Sequence, residues 1–364
     1  MPSIALQRTD VIVGVDTHKD QHVAVAIDGL GGIIGDPLFV PATNDGYAEL
    51  LAWAMALGDV HVFAVEGCGS YGIGLARFLR RHGHPPVEVA RQPRRGERRM
   101  SGKSDAIDAE HAARVVLSGS GTATPKLADG QVEAIRLIKI ARDTAVKAHT
   151  TTIVTLKAVI VTASDDLRAQ LEPLSDHKLI NACASLDTSG DIADPEVAMR
   201  HTLAALATRW LELHDEIKTH TSHLKTLTTA VAPQMLDAFG IGFDTAAELL
   251  ITAGDNTDRV RSEAALAKLC GVCPIPAGSG KTNGRHRLNR GGNRQANAAL
   301  YRVIIVRMRW HPPTIAYVER RTSEGLSKKE IIRCLKRYLV REVYQLLPRT
   351  SAEEEPEILL STAA

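Results

Sequence analysis

The chain of 364 residues is 44% hydrophobic, 24% charged and only 4% aromatic; it is long enough for two or three domains with cores of their own, and too poor in aromatic rings for an extended base-stacking platform. Nothing approaches the roughly 18 consecutive apolar residues of a membrane span, the stretch before the first strand is too short and polar for a leader, and five irregularly spaced cysteines make no disulfide framework, so a cytoplasmic protein without membrane association is expected. The formal net charge is only +2, yet residues 281–345 hold 16 Lys and Arg against 4 Asp and Glu, and residues 91–103 hold 6 against 1; two basic blocks in an otherwise acidic chain read either as sites for a polyanion or as solvated basic faces.

Residues 11–27, VIVGVDTHKDQHVAVAI, predict two strands around a tight turn. The first is a continuous apolar run of the kind buried on both faces; the second alternates and pairs with it as a hairpin. A helix over 46–57, a buried strand at 60–66, a glycine-rich turn, a helix over 72–82 and a short strand at 86–90 follow. A basic loop then leads to the helix of SDAIDAEHAARVVL, and the mixture reads as an α/β layer fold with an antiparallel start.

Residues 129–165 and 195–231 have helical periodicity and no strand signal, with Ile135, Ile138, Ala145, Ile153, Leu156 and Ile160 on one apolar stripe. They predict two long helices packed as an antiparallel pair or against a partner chain, with a helical or looped connection over 166–194. From Met235 the segment LDAFGIGFDTAAELL reads helix, Gly-x-Gly turn, helix. A short helix over 262–269, a loop over 271–292 and a helix over 293–310 stopped by Pro312 and Pro313 come next. The last helix opens at Ser327 with Glu330 in capping-box spacing. It carries Ile331, Leu335, Leu339 and Val343 as its apolar face, and Arg333, Lys336, Arg337 and Arg341 as its basic residues. The tail after Pro348 is acidic and is expected to be disordered.

Four carboxylates stand out. Asp16 ends one apolar strand, Glu66 ends another, and Asp105 and Asp108 share a face in the first turn of a helix, where the dipole favours them. If the strands are neighbours and the helix crosses their ends, the four acids converge, and such a cluster repels itself unless it binds cations. Hard oxygen donors suit Mg²⁺ or Mn²⁺, and a pair of such ions serves phosphodiester chemistry. Each acid also has an ordinary reading as a turn former, an ion-pair partner or a cap. His18 and Lys19, beside Asp16, are candidates for phosphate contact.

In PAGSGKTNGRHRLNRGG, Ser279 lies between two glycines and ahead of Lys281, Arg285, Arg287 and Arg290. Small neighbours expose the hydroxyl, and the cations could hold a phosphate; a plain surface loop has the same composition. The Gly280-Lys281-Thr282 ending resembles a Walker loop, but Ile275 stands where that pattern needs glycine and Asn283-Gly284 follows instead of a helix, so ATP binding is rejected. Gly240 and Gly242 form either a phosphate-gripping helix-hairpin-helix turn or an ordinary helical hairpin. Cys270-x-x-Cys273 lacks the second pair a zinc site needs.

The segments GVDTHKDQHVAVAID, VEGCGSYGIGLARFL and GKSDAIDAEHAAR resemble the three carboxylate motifs of the DEDD transposases of insertion-sequence family 110 (IS110/IS1111-type), and the likeness extends through the C-terminal half. Cys68, where relatives commonly have Thr, is a local departure. The resemblance implies an α/β RNase H-like (RuvC-like) catalytic domain over 1–125, a long-helix, coiled-coil-like region over 126–232, and a mainly α C-terminal domain with a helix-hairpin-helix and a serine loop over 233–348, before the tail over 349–364. It implies that Asp16, Glu66, Asp105 and Asp108 ligate Mg²⁺ or Mn²⁺. It also implies that Ser279 is a nucleophile forming a phosphoserine–DNA intermediate, in a composite site whose two domains could come from different protomers.

The resemblance implies as partners DNA at the element ends and target and a structured guide RNA encoded by the element; further copies of the chain, as a homodimer or dimer of dimers, are also expected. Arg94, Arg95, Arg98, Arg99, Lys103, Gly240, Gly242, Lys281, Arg285, Arg287, Arg290 and Arg294 are the expected nucleic-acid contacts. Three other readings remain: a metal-dependent junction-resolving nuclease without serine chemistry, a nucleic-acid-binding scaffold with a dead site, and an actin-like ATPase.

Overall fold

A computed structural model describes residues 9–89, 104–119, 122–256, 259–276, 278, 286–289 and 291–348. The chain forms two compact units: the first comprises Met1–Asp129 and Ala253–Arg261, the second Gly130–Thr252 and Ser262–Arg349.

The first unit is a mixed sheet with helices on both faces. In chain order it contains β1 (Asp10–Thr17), β2 (Gln21–Ile27), β3 (Ile33–Pro41), α1 (Asn44–Leu57), β4 (Asp59–Glu66), α2 (Ile73–Arg81), β5 (Val87–Val89), α3 (Asp105–Leu117) and β6 (Thr122–Ala123). The sheet order is β3-β2-β1-β4-β5-β6. β1 and β2 form the expected antiparallel hairpin, while β4 runs parallel to β1 and β5 parallel to β4. β3 was not legible in the sequence: Gly35 and Pro37 interrupt it, and the ladder to β2 shifts register there. An edge strand tolerates that proline because its outer side has no ladder to complete.

Alternation along β1 sorts the two faces. Val11, Val13 and Val15 join Phe63 and Val65 of β4 in a core covered by Leu50 and Ala54 of α1 and Leu75 and Leu79 of α2. Ile12 of β1 and Ala64 of β4 face α3, packing with Ala113 and with Ala112 and Val115 respectively. Gly14 lies on the α3 face. A Cβ there would stand 1.9 Å from the Ala109 carbonyl oxygen and 2.6 Å from the Ala113 nitrogen, so α3 rests its backbone directly on the strand. Near the end of the unit, Asn256 receives a hydrogen bond from the Leu127 amide (3.3 Å) and donates one to the Pro125 carbonyl (3.1 Å). This segment after Thr252 completes the first unit.

The second unit begins with α4 (Gln131–Ile160), α5 (Asp165–Leu171), α6 (Asp176–Ala184) and α7 (Pro195–Val231). α4 and α7 are the expected long antiparallel pair: Leu156 and Ile160 pack with Leu203, Ala207 and Trp210, and Arg142 Nε donates to Thr221 Oγ1 at 2.9 Å nearer the other end. The connection is helical, and Leu167, Leu171, Leu179, Ile180 and Cys183 seal the same core.

Then come α8 (Pro233–Asp237), α9 (Phe243–Ala253), α10 (Glu263–Leu269), β7 (Pro274–Pro276), β8 (His286–Leu288), α11 (Arg294–Trp310), α12 (Pro312–Ser323) and α13 (Lys328–Leu346). The loop expected over 271–292 contains the antiparallel pair β7–β8. Pro312 does end α11, but it also opens α12, since proline lacks only an amide that the first helical turn leaves unbonded. The capping box at Ser327 and Glu330 is formed. The acidic tail from 349 lies outside the described residues.

Gly14→Ala is expected to lower the stability of the first unit by at least ~2 kcal/mol, because the new methyl meets backbone atoms that cannot rotate away. Urea unfolding followed by far-UV circular dichroism measures it.

Candidate active site

The register of the sheet sets the site. Val15 pairs with Val65 and Gly14 with Ala64 in the parallel ladder of β1 and β4, so Asp16 and Glu66 end adjacent strands side by side. By the same alternation that puts Gly14 and Ala64 under α3, both acids belong to the α3 face. Thr17 Oγ1 donates to the Glu66 carbonyl oxygen at 2.7 Å and ties the two strand ends together.

α3 completes the cluster. Its first turn carries Asp105 and Asp108, and its seat on Gly14 sets that turn over the end of β1. Asp16 and Asp108 are buried, 5% and 7% exposed. One ligand atom each from Asp16, His18 and Asp105 lies within 4.8 Å of the others. His18 Nε2 stands 3.2 Å from Asp16 Oδ2 and 3.5 Å from Asp105 Oδ1. Glu66 is close enough to act on Asp16 electrostatically, but neither it nor Asp108 belongs to that tight group of three. His18 enters the group because it lies two residues beyond Asp16, where the chain turns from β1 into β2; in the sequence it read as a candidate for phosphate contact rather than as a member of the cluster.

Burial dominates the electrostatics at Asp16. Burial pushes the Asp16 carboxyl above the usual carboxylate range; His18 opposes the shift, while Glu66 and Asp105 add to it by repulsion. The oxygen donors suit a hard divalent cation, which would relieve both the burial and the repulsion.

Other expected site residues are distributed differently. Ser279, Lys281, Arg285 and Arg290, and Arg94, Arg95, Arg98, Arg99 and Lys103, lie outside the described residues. Arg287 is on β8 and Arg294 opens α11; both line one cavity of the second unit. Gly240 adopts φ +81° in the turn between α8 and α9, and open space surrounds Gly242. Arg307 is spent inside the fold: it donates to the Phe239 carbonyl at 2.7 Å and to both carboxylate oxygens of Glu342 at 2.6 and 2.7 Å. Arg337 and Arg341 likewise pair with Glu263. Part of the C-terminal positive charge therefore holds helices together.

The sheet and its acids define a carboxylate-bearing mixed α/β domain, consistent with an RNase H-like one. Residues 13–164 match the sequence model of the IS110 DEDD transposases, and residues 234–319 match that of the IS116/IS110/IS902 transposase family. The two matches together cover more than half of the chain, and the chain belongs to this transposase family. It is also similar to a Streptomyces coelicolor protein described as an uncharacterized 43.6 kDa protein of insertion element IS110, at 27% identity over 145 residues. That likeness spans 39% of this chain and 36% of the relative.

Asp16→Asn is expected to raise the melting temperature of metal-free protein at neutral pH by about 2–4 °C, the scale of ~1 kcal/mol in a domain of this size. The folded state holds the Asp16 proton more tightly than the unfolded chain does. Its contribution to stability is thus present at acid pH and is lost as pH rises through the raised value. Thermal scans across pH should show the advantage of the asparagine fading on acidification.

Proposed function

We propose that the chain cuts and rejoins DNA to mobilise an insertion sequence, with Asp16, Glu66, Asp105 and Asp108 as metal ligands and Ser279 as nucleophile. The observation that carries this reading is the meeting of acids from β1, β4 and α3 on one face of the sheet. Mg²⁺ or Mn²⁺ held there would ease deprotonation of an attacking hydroxyl and stabilise the leaving oxygen. The buried Asp16, repelled by Glu66 and Asp105, supports cation binding at this point.

The first step transfers a phosphoryl group to the serine. Ser279 Oγ gives up its proton and bonds to phosphorus; one phosphorus–oxygen bond of the strand breaks, and the departing sugar oxygen takes a proton. A sugar hydroxyl of the second strand then displaces the serine. One phosphodiester is exchanged for another with no net hydrolysis, so no nucleotide cofactor is needed. This agrees with the rejected Walker pattern.

The domain of 1–125 supplies the carboxylates, the region of 126–232 assembles protomers, and the domain of 233–348 supplies Ser279 and the basic surface. Gly240 and Gly242, with open space at Gly242, support a backbone grip on a DNA phosphate. The family likeness supports a structured guide RNA, a homodimeric or larger assembly, and action in the cytoplasm; the basic block over 281–345 suits either nucleic acid.

The test uses a supercoiled plasmid carrying element ends and target, the flanking non-coding RNA, and Mg²⁺. Wild-type protein is expected to yield joined products and a covalent protein–DNA adduct. Asp16→Asn should reduce both by more than ~100-fold, beyond the 10–100-fold typical of changes around a metal's ligands. Ser279→Ala should abolish adduct and joining. Nicking that survives Ser279→Ala would identify a metal-only nuclease instead.

A further inference from the structure

The second unit contains a cavity of about 990 Å³ between the β7–β8 hairpin, α11 and α13, at the upper end of the roughly 300–1,000 Å³ usual for ligand pockets. Its charged lining among the described residues is Arg287, Arg294, Arg333 and Lys336, with no carboxylate among them. Among the described residues neither Arg287 nor Arg294 has an ion-pair partner, and Arg333 has only the exposed Glu330 at 3.9 Å.

Lys336 is the informative member. It is only 8% exposed, and its Nζ donates to the Asn297 carbonyl at 3.2 Å and to Asn297 Oδ1 at 2.7 Å. Both acceptors are neutral. A buried ammonium without a counter-charge is costly, and burial accordingly pushes Lys336 below the usual lysine range. Asn297 cannot rearrange to help, because its own amide donates to the Cys270 and Gly271 carbonyls at 3.0 and 3.1 Å. The wall behind it is equally fixed: a Cβ on Gly292 would stand 2.1 Å from the Gly271 nitrogen. The cavity is thus a rigid, positively charged recess.

One wall is aromatic. Tyr301 is 45% exposed, and Lys336 Nζ lies 5.2 Å from its ring centroid. A half-exposed ring beside clustered cations offers stacking for a base and charge for its phosphate, the two contacts that hold unpaired strands.

We propose that this cavity holds an unpaired nucleotide of a bound nucleic acid, its base against Tyr301 and its phosphate among Arg287, Arg294, Arg333 and Lys336. The inference rests on the reading of the chain as a nucleic-acid enzyme and adds to it the form of the ligand: an extruded or single-stranded nucleotide, which a paired duplex cannot supply.

The experiment measures binding of full-length protein to fluorescein-labelled twelve-nucleotide adenine strands, one DNA and one RNA, and to a twelve-base-pair DNA duplex. Tyr301→Ala should weaken single-strand binding about 10-fold, within the range for loss of one stacked base, and leave the duplex within 2-fold. Tyr301→Phe should bind like wild type. Arg333→Gln should lower the salt dependence of single-strand binding by about one phosphate contact, a change of roughly 0.7 in the slope. The strand, DNA or RNA, that responds more strongly to Tyr301→Ala identifies the source. Unchanged single-strand affinity in Tyr301→Ala, or an equal loss on the duplex, overturns the pocket while leaving the enzyme reading intact. Failure of wild type to bind any of the three probes overturns both.

Discussion

The contact between the backbone of α3 and the strand at Gly14 organises the first unit. Any side chain at that position would overlap the Ala109 carbonyl, and the facing residues of the helix are small: Ala109, Ala112 and Ala113, all buried. The helix can therefore lie flat on the sheet, with Asp105 and Asp108 in its first turn. Were it lifted by a methyl group, its acids would move away from Asp16. Packing and chemistry here are one requirement, and the glycine in GVD is as much a part of the site as the aspartate two residues later.

The cluster sets a buried carboxyl among other acids on one face of the sheet. Burial and neighbouring acids both raise the Asp16 carboxyl, with His18 as the opposing charge. The second unit handles charge in another way. Lys139, only 7% exposed, bonds to Asp244 Oδ1 at 2.9 Å and to Asp143 Oδ2 at 2.9 Å, and Arg142 and Arg302 also reach Asp244. Those charges are balanced within the protein and bind α4, α9 and α11 together. Lys336 is not balanced in this way. The contrast between neutralised and unneutralised buried charge separates scaffold from ligand-facing surface more sharply than net charge does.

Much of this was legible in the residues. The continuous apolar run of β1 marked a central strand, the alternation of β2 marked its hairpin partner, and the capping box at Ser327 marked a helix start. Asp16, Glu66, Asp105 and Asp108 could be singled out because strand ends and helix starts are where such acids can converge. Less was legible where local and tertiary signals conflict. β3 carries Gly35 and Pro37, pairs with β2 at the sheet edge and sends Val40 into the core. β7 and β8 are three residues each and depend on each other across the residues between them. His18 could not be assigned to the cluster from sequence, because its place depends on where α3 sets Asp105. Among the C-terminal cations, composition could not separate Arg307, locked onto Glu342, from Arg287 and Arg294 in the cavity wall.

The return of residues 253–261 to the first unit has a consequence for modularity. Asn256 bonds across a gap of more than a hundred residues to Pro125 and Leu127, so the polypeptide leaves that unit after Asp129 and returns to it at Ala253. A single cut after Asp129 would release the whole sheet but leave residues 253–261 of the unit behind. An exchange of front and back halves between diverged copies would have to preserve this seam to keep both hydrogen bonds.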